Sequence, residues 1–247
     1  MIRIRGLRKR LGGKPVLDGV DLDVAAGETV VVIGRSGTGK SVLLKHVVGL
    51  MTPDEGSIRV DDDEIVGMKE SELNRVRKRF GMLFQGAALF DSLTVGENVG
   101  LALREHQRLS RDEIRRRVAE RLEWVGLQGV EDMKPASLSG GMRKRVGLAR
   151  AIAMDPQFIL YDEPTTGLDP IMADVIDQLI RSMQKRLGVT SIVVTHDLQS
   201  AYKVGDRFAM LHDGKVVFRG TADETRQTTN PLVRQFIEGT SAGPIRV

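Results

Sequence analysis

The chain has no cysteine in its 247 residues. That excludes a disulfide-stapled scaffold, a cysteine-ligated zinc centre and a thiol nucleophile together. Nor does it have a run approaching the ~18–20 consecutive apolar residues of a membrane-spanning helix. The opening Met-Ile-Arg-Ile-Arg-Gly-Leu-Arg-Lys-Arg-Leu is charged at every second or third position, unlike the apolar centre of a signal peptide. Internal repeats and low-complexity tracts are missing too. These absences give the expectation of a soluble, cytoplasmic protein.

At ~150 residues per typical domain, the length allows one large domain or two small ones. Apolar residues make up 41% and charged residues 28%, the balance of a chain that can bury a core. Lys and Arg number 37 against 33 Asp and Glu, a net charge of +4. This excess suits an anionic partner such as a nucleotide, a nucleic acid or lipid headgroups, and does not choose among them.

Three short β-branched runs organise the chain: Glu28-Thr-Val-Val-Val-Ile-Gly34, Phe158-Ile-Leu-Tyr-Asp162 and Val189-Thr-Ser-Ile-Val-Val-Thr195. Each is the pattern of a strand buried on both faces of a parallel sheet, and each is followed by a helix-like pattern, which predicts an α/β domain. The stretch before Asp23 and the segment Ser57-Ile-Arg-Val60 alternate instead, as antiparallel edge strands do. Between residues 92 and 155 the strand signal disappears. Residues 97–109 and 110–125 read as helices, the second opened by Ser110-Arg-Asp-Glu113, a capping-box spelling. Its Arg115-Arg-Arg117 run reads as a solvated helix face.

Gly34-Arg35-Ser36-Gly37-Thr38-Gly39-Lys40-Ser41 satisfies G-x-x-x-x-G-K-[ST] between the first buried strand and an apolar-periodic helix. Glycines let the backbone curl into a nest of N–H donors, and the helix N-terminus adds positive partial charge for phosphate oxygens. In such a loop the lysine reaches the β- and γ-phosphates and the Ser41 hydroxyl is a ligand for Mg²⁺. Asp162, ending the second buried run, is positioned to hold the magnesium through water. Glu163 can accept a hydrogen bond from a water behind the γ-phosphate and serve as general base.

Leu138-Ser139-Gly140-Gly141, about 20 residues before Asp162, gives the phosphate loop its family: the arrangement resembles the nucleotide-binding subunit of ABC transporters over nearly the whole chain. The resemblance implies a RecA-like P-loop NTPase core with an antiparallel β edge and a helical ABC-specific subdomain. It divides a single domain, 1–247, into core segments 1–84 and 157–222, the helical subdomain 85–156 and a tail 223–247. It also implies that ATP and Mg²⁺ are sandwiched in a head-to-tail dimer of two copies, with Ser139, Gly140 and Gly141 contacting nucleotide on the opposite copy. Gln85 matches the glutamine that senses Mg²⁺ and the attacking water, Asp169 in Gly167-Leu-Asp169 matches the D-loop, and His196 matches the switch histidine.

Two positions depart from the general pattern. Met142 stands where glutamine is usual, and Leu11 before Gly12-Gly13 stands where an aromatic ordinarily stacks on adenine. Since such stacking is worth roughly 1–3 kcal/mol, base selectivity is expected to be poor unless Val16 or another apolar contact substitutes. A narrower resemblance accounts for Met142. Val76-Arg-Lys-Arg-Phe-Gly-Met-Leu-Phe-Gln-Gly-Ala-Ala-Leu-Phe90, Leu103-Arg-Glu-His106, the signature through Met142 and Asn230-Pro-Leu-Val-Arg-Gln-Phe-Ile-Glu-Gly239 are similar to the ATPases of Mla-type, MCE-associated phospholipid transporters. That group implies an MlaE-like membrane permease, an MCE-domain lipid-binding protein and, in some systems, a STAS-domain subunit. The ATPase would lie peripherally on the cytoplasmic face of the inner membrane.

The segment from Asn230 to Val247 is expected to reach beyond the catalytic core, with Phe236 and Ile237 as a small apolar anchor, and to dock on the partner ATPase protomer or its regulator. The alternative is a soluble ABC ATPase acting on nucleic acid or ribosomes. Such proteins usually carry a long coiled coil, zinc cysteines or tandem ATPase units, none of which the sequence has, so no nucleic acid is expected.

Overall fold

The computed structural model describes residues 1–246; Val247, the end of the expected tail, lies outside them. In chain order the first elements are β1 (Ile2–Leu11), β2 (Lys14–Val24), β3 (Thr29–Ile33), α1 (Lys40–Val47), β4 (Glu55–Val60), β5 (Asp63–Glu64), α2 (Glu70–Arg77), β6 (Phe80–Leu83), α3 (Val95–His106) and α4 (Arg111–Trp124). There follow α5 (Gly140–Ala151), β7 (Phe158–Asp162), α6 (Pro170–Leu187), β8 (Thr190–Thr195), α7 (Leu198–Val204), β9 (Arg207–His212), β10 (Lys215–Thr221), α8 (Ala222–Gln227) and α9 (Pro231–Glu238). The fold is α/β with an antiparallel edge, as the sequence predicts. The chain forms two compact units, one of Met1–Arg77 with the chain from Thr190 onward, the other of Lys78–Val189.

In the first unit, β1 pairs antiparallel with β2 on one side and β4 on the other. Alternation sends Ile2 and Ile4 of β1 and Ile58 and Val60 of β4 into the interior. A second set of strands centres on β3, which is buried from end to end and pairs in parallel with both β8 and β9. A strand flanked in this way shows no polar face, hence its unbroken β-branched spelling. β9 and β10 form a hairpin whose Asp213-Gly214 turn has both residues at positive φ, 46° and 73°.

His46 sits on the buried face of α1, 1% exposed. Its Nδ1 donates to the Val42 carbonyl at 2.7 Å, so the bare nitrogen is Nε2, which is buried with no hydrogen-bond partner among the described residues. Burial pushes its pKa below the ordinary 6.5; the Lys9 ammonium adds to this, while carbonyls and Asp54 oppose it less. The unfolded chain therefore binds a proton that the folded chain refuses. Stability is complete above about pH 6.5 and falls as pH drops from there toward the lowered folded value, by up to about 1.4 kcal/mol per pH unit. Urea midpoints at pH 7.5 and 5.5 should differ less in His46→Leu than in the parent.

The C-terminus doubles back on α9. Gly239, left-handed at φ 66°, ends α9 and turns the chain back. The Gln235 side chain then donates to the Ile245 carbonyl at 3.0 Å and accepts from the Ile245 N–H at 2.7 Å. The buried anchors are Val233, Gln235 and Ile245, whereas Phe236 and Ile237 are only half-buried. Through residue 246 the tail folds onto its own unit, because the reversal lets one amide satisfy two backbone groups.

In the second unit, β6 and β7 form a parallel pair, and among the described residues the chain between them is helical. Thr94 and Ser110 open α3 and α4 with reciprocal capping boxes to Glu97 and Glu113. The one tryptophan of the chain, Trp124 at the end of α4, lies between two guanidinium groups: Arg121 at 3.9 Å and Arg186 of α6 at 4.4 Å from its ring centre. Arg121 is buried and also pairs with Asp155 at 2.5 Å. No helix among the described residues is long and apolar enough to cross a membrane.

Candidate active site

In the first unit, Ile33 of β3 lies beside Thr195 of β8, so the phosphate loop and His196 leave neighbouring strand ends. The loop is built by glycine at Gly34 and Gly39. A Cβ at Gly34 would overlap the Leu211 carbonyl oxygen, and one at Gly39 (φ 99°) would lie 2.9 Å from the Val16 carbonyl oxygen. Gly39 stands at the N-cap of α1, and Thr38 Oγ1 closes the turn by donating to the Arg35 carbonyl at 2.9 Å. Lys40 is buried and donates across the loop to the carbonyls of Gly34 and Arg35 at 2.8 and 3.0 Å. Ser36 and Gly37 form the exposed tip, and Ser41 begins the first turn of α1. Arg35 reaches the other way, donating to the Arg246 carbonyl at 2.7 Å.

His196 is exposed between β8 and α7, on a turn fixed by the Asp197 N–H donating to Thr195 Oγ1 at 3.0 Å. Leu11, at the tip of the β1–β2 hairpin, is 41% exposed. Val16 lies nearer the phosphate loop, with Cγ1 3.1 Å from where a Gly39 Cβ would stand.

In the second unit, Leu83 of β6 pairs with Tyr161 of β7, so Gln85 and the Asp162–Glu163 pair leave the same edge. Asp162 and Glu163 are buried, and Gln85 is exposed. Glu163 is left-handed, φ 48°, a conformation costing a non-glycine residue about 1–3 kcal/mol. The turn after it holds that geometry: Thr166 N–H donates to the Glu163 carbonyl at 3.3 Å, and Thr166 Oγ1 donates to Glu163 Oε2 at 3.1 Å. Ser139 caps α5, accepting from Met142 N–H at 3.2 Å. Asp169 caps α6, accepting from the N–H groups of Ile171 and Met172 at 3.0 Å. The two caps are neighbours, since a Cβ at Gly141 would lie 2.5 Å from Met172 Cε and one at Gly140 would lie 3.9 Å from Leu168. Signature and D-loop thus present two helix N-termini side by side.

Sequence reading missed Lys144 of α5. It is 5% exposed and donates to the carbonyl oxygens of Gln85 and, at 3.1 Å, Glu163. Burial lowers its pKa, with Asp162 and Glu163 opposing. Within a helical run Arg143-Lys144-Arg145, nothing in the pattern marks which charge turns inward.

Residues 17–166 match the model of the ABC transporter family. The chain is 43% identical over 244 residues to the probable ribonucleotide transport ATP-binding protein mkl of Mycobacterium leprae, covering 99% of this chain and 70% of that protein. It is 41% identical over 246 residues to the intermembrane phospholipid transport system ATP-binding protein MlaF of Haemophilus influenzae, covering 100% of this chain and 93% of that one. Among solved structures, the dimeric post-hydrolysis state of the ATP-binding cassette MJ0796 bound to ADP and Pi superposes with a TM-score of 0.83 and 35% identity, covering 90% of this chain and 98% of that chain. Phosphate loop, signature, strained glutamate and this breadth of likeness together make the chain a member of the ABC transporter family, one of its ATP-hydrolysing cassettes.

Proposed function

We propose that this cassette hydrolyses ATP to power phospholipid transport through an MlaE-like permease, lying peripherally on the cytoplasmic face of the inner membrane. Two copies close head to tail on two nucleotides. On each, residues 34–41 of one copy hold the phosphates, and Ser139, Gly140 and Gly141 of the other contact the γ-phosphate, with Asp169 at the seam. Glu163 takes the proton from the attacking water, while Gln85 and His196 sense that water and the γ-phosphate.

The donor set fits Mg²⁺: Ser41 hydroxyl, Gln85 amide and Asp162 carboxylate are all hard oxygen donors. When bound, the ion neutralises charge on the phosphates; the residues themselves orient water and accept its proton.

The correspondence with MlaF over 93% of its length carries the lipid reading. Two features support a permease partner. Phe90 is 52% exposed just beyond Gln85, its backbone held by the buried Asn98 through bonds of 2.8 and 3.1 Å. A groove of about 840 Å³ between α3 and α4 is lined by Gly96, Gly100, Ile114 and Val118 among others. An MCE-domain protein and a STAS-domain subunit complete the proposed assembly.

Reconstitution with the permease in vesicles tests this: ATP should drive movement of labelled phospholipid, and Phe90→Asp should abolish movement while nucleotide binding persists. Movement of ribonucleotides without phospholipid would favour the activity named for the mycobacterial relative and overturn the lipid reading.

A further inference from the structure

α5 grips the segment after β6 at two places. Lys144 donates to the Gln85 carbonyl, and one turn and a half later Arg150 donates to the carbonyls of Ala88 and Ala87, each at 2.7 Å. Between them Gly147 lets the helix close on this segment, since a Cβ there would lie 3.2 Å from the Ala87 Cβ. Ala87 and Ala88 are both left-handed, at φ 60° and 47°, a conformation that non-glycine residues hold only when their surroundings fix it. Lys144 also donates to the Glu163 carbonyl at 3.1 Å, so one buried ammonium ties the backbone of two separate chain segments. The arginines flanking it in sequence bind elsewhere: Arg143 to the Leu138 carbonyl at 2.8 Å and Arg145 to the Gly126 carbonyl at 2.9 Å. Of the three, Lys144 is the one that reaches the backbone of Gln85 and Glu163.

We propose that Lys144 is a positioning residue for hydrolysis: from α5 it sets the backbone of Gln85 and Glu163 in one register, so that seating the signature loop at the head of the same helix aligns both. This rests on the reading of Glu163 as general base and of Ser139–Gly141 as the contact to the opposite nucleotide. A helix is stiff over the two turns involved, so its N-terminal position is transmitted to the Lys144 ammonium with little loss. An ammonium donates to several carbonyls at once, which suits it to bridging two segments that a methyl-terminated side chain would leave unjoined.

The test uses the full-length chain with ATP and Mg²⁺. Lys144→Met should lower kcat about 100-fold, the cost of a reacting group misplaced by an ångström, with KM for ATP changed less than about threefold. Lys144→Arg, which restores charged donors, should recover most of the rate. In a Glu163→Gln background, where turnover cannot confuse the reading, ATP should protect the amides of residues 84–90 from hydrogen exchange, and adding Lys144→Met should remove that protection. Because the Met variant could fold poorly, Lys144→Gln is read alongside it, each with its thermal midpoint. A Met or Gln variant with a parental midpoint and a parental kcat would overturn the proposal, as would equal losses in the Arg and Met variants. If the parent chain shows no hydrolysis, or Glu163→Gln turns over at the parental rate, the functional reading fails instead.

Discussion

Replacing Glu163 by glutamine should slow ATP turnover by about 10²- to 10⁴-fold, the range for loss of a general base, while nucleotide binding stays close to parental. The carboxylate is buried at the end of β7 on a backbone strained to φ 48°. Thr166 Oγ1 fixes its Oε2 at 3.1 Å. A glutamine oxygen can accept the same bond, so the side chain should keep its place and lose only its ability to take a proton. The phosphate loop and signature are untouched, and ATP with Mg²⁺ should accumulate as a closed dimer resolvable by size-exclusion with light scattering. Parental turnover by this variant would move the base role to His196 or to solvent.

Ser139→Arg should abolish hydrolysis by a different route, leaving ATP bound to monomers. Ser139 is exposed at the N-cap of α5 beside the cap of α6. In a head-to-tail pair this is where a γ-phosphate from the other copy must come close, and a bulky side chain there holds the copies apart. Two effects are separable. Loss of the cap costs about 1 kcal/mol of helix stability, whereas obstruction of the seam is independent of stability. Ser139→Ala removes the cap without adding bulk, so it should retain ATP-induced pairing in a Glu163→Gln background. Ser139→Arg in that background should stay monomeric. A closed dimer of the double variant would place the signature away from the seam.

Much of this architecture can be read before any coordinates, for physical reasons. A strand with parallel neighbours on both sides must be apolar throughout, so β3 announces itself, and β7 and β8 are buried from end to end with similarly hydrophobic spellings. The phosphate loop is legible because its glycines, lysine and serine are demanded together at fixed spacing. Ser110 and Glu113 are legible because the capping box is local. The Asp213-Gly214 turn is an equally local hairpin signal, set after a strand–helix alternation typical of parallel pairs. β6 is only Phe80–Leu83, too short for its period to stand out. Lys144 was beyond reach in principle: sequence shows a basic helical run, and only packing decides which cation faces the carbonyls. The same holds for Gln235, which becomes an anchor only once Gly239 has brought Ile245 back to it.

The tryptophan held between Arg121 and Arg186 makes the protein its own optical reporter. With one indole in the chain, all tryptophan emission comes from the junction of α4 and α6. Cations held against the ring shift the indole's excited-state energy, so parting either guanidinium changes the emission. Any tryptophan fluorescence response to nucleotide can therefore be assigned to that junction without a label.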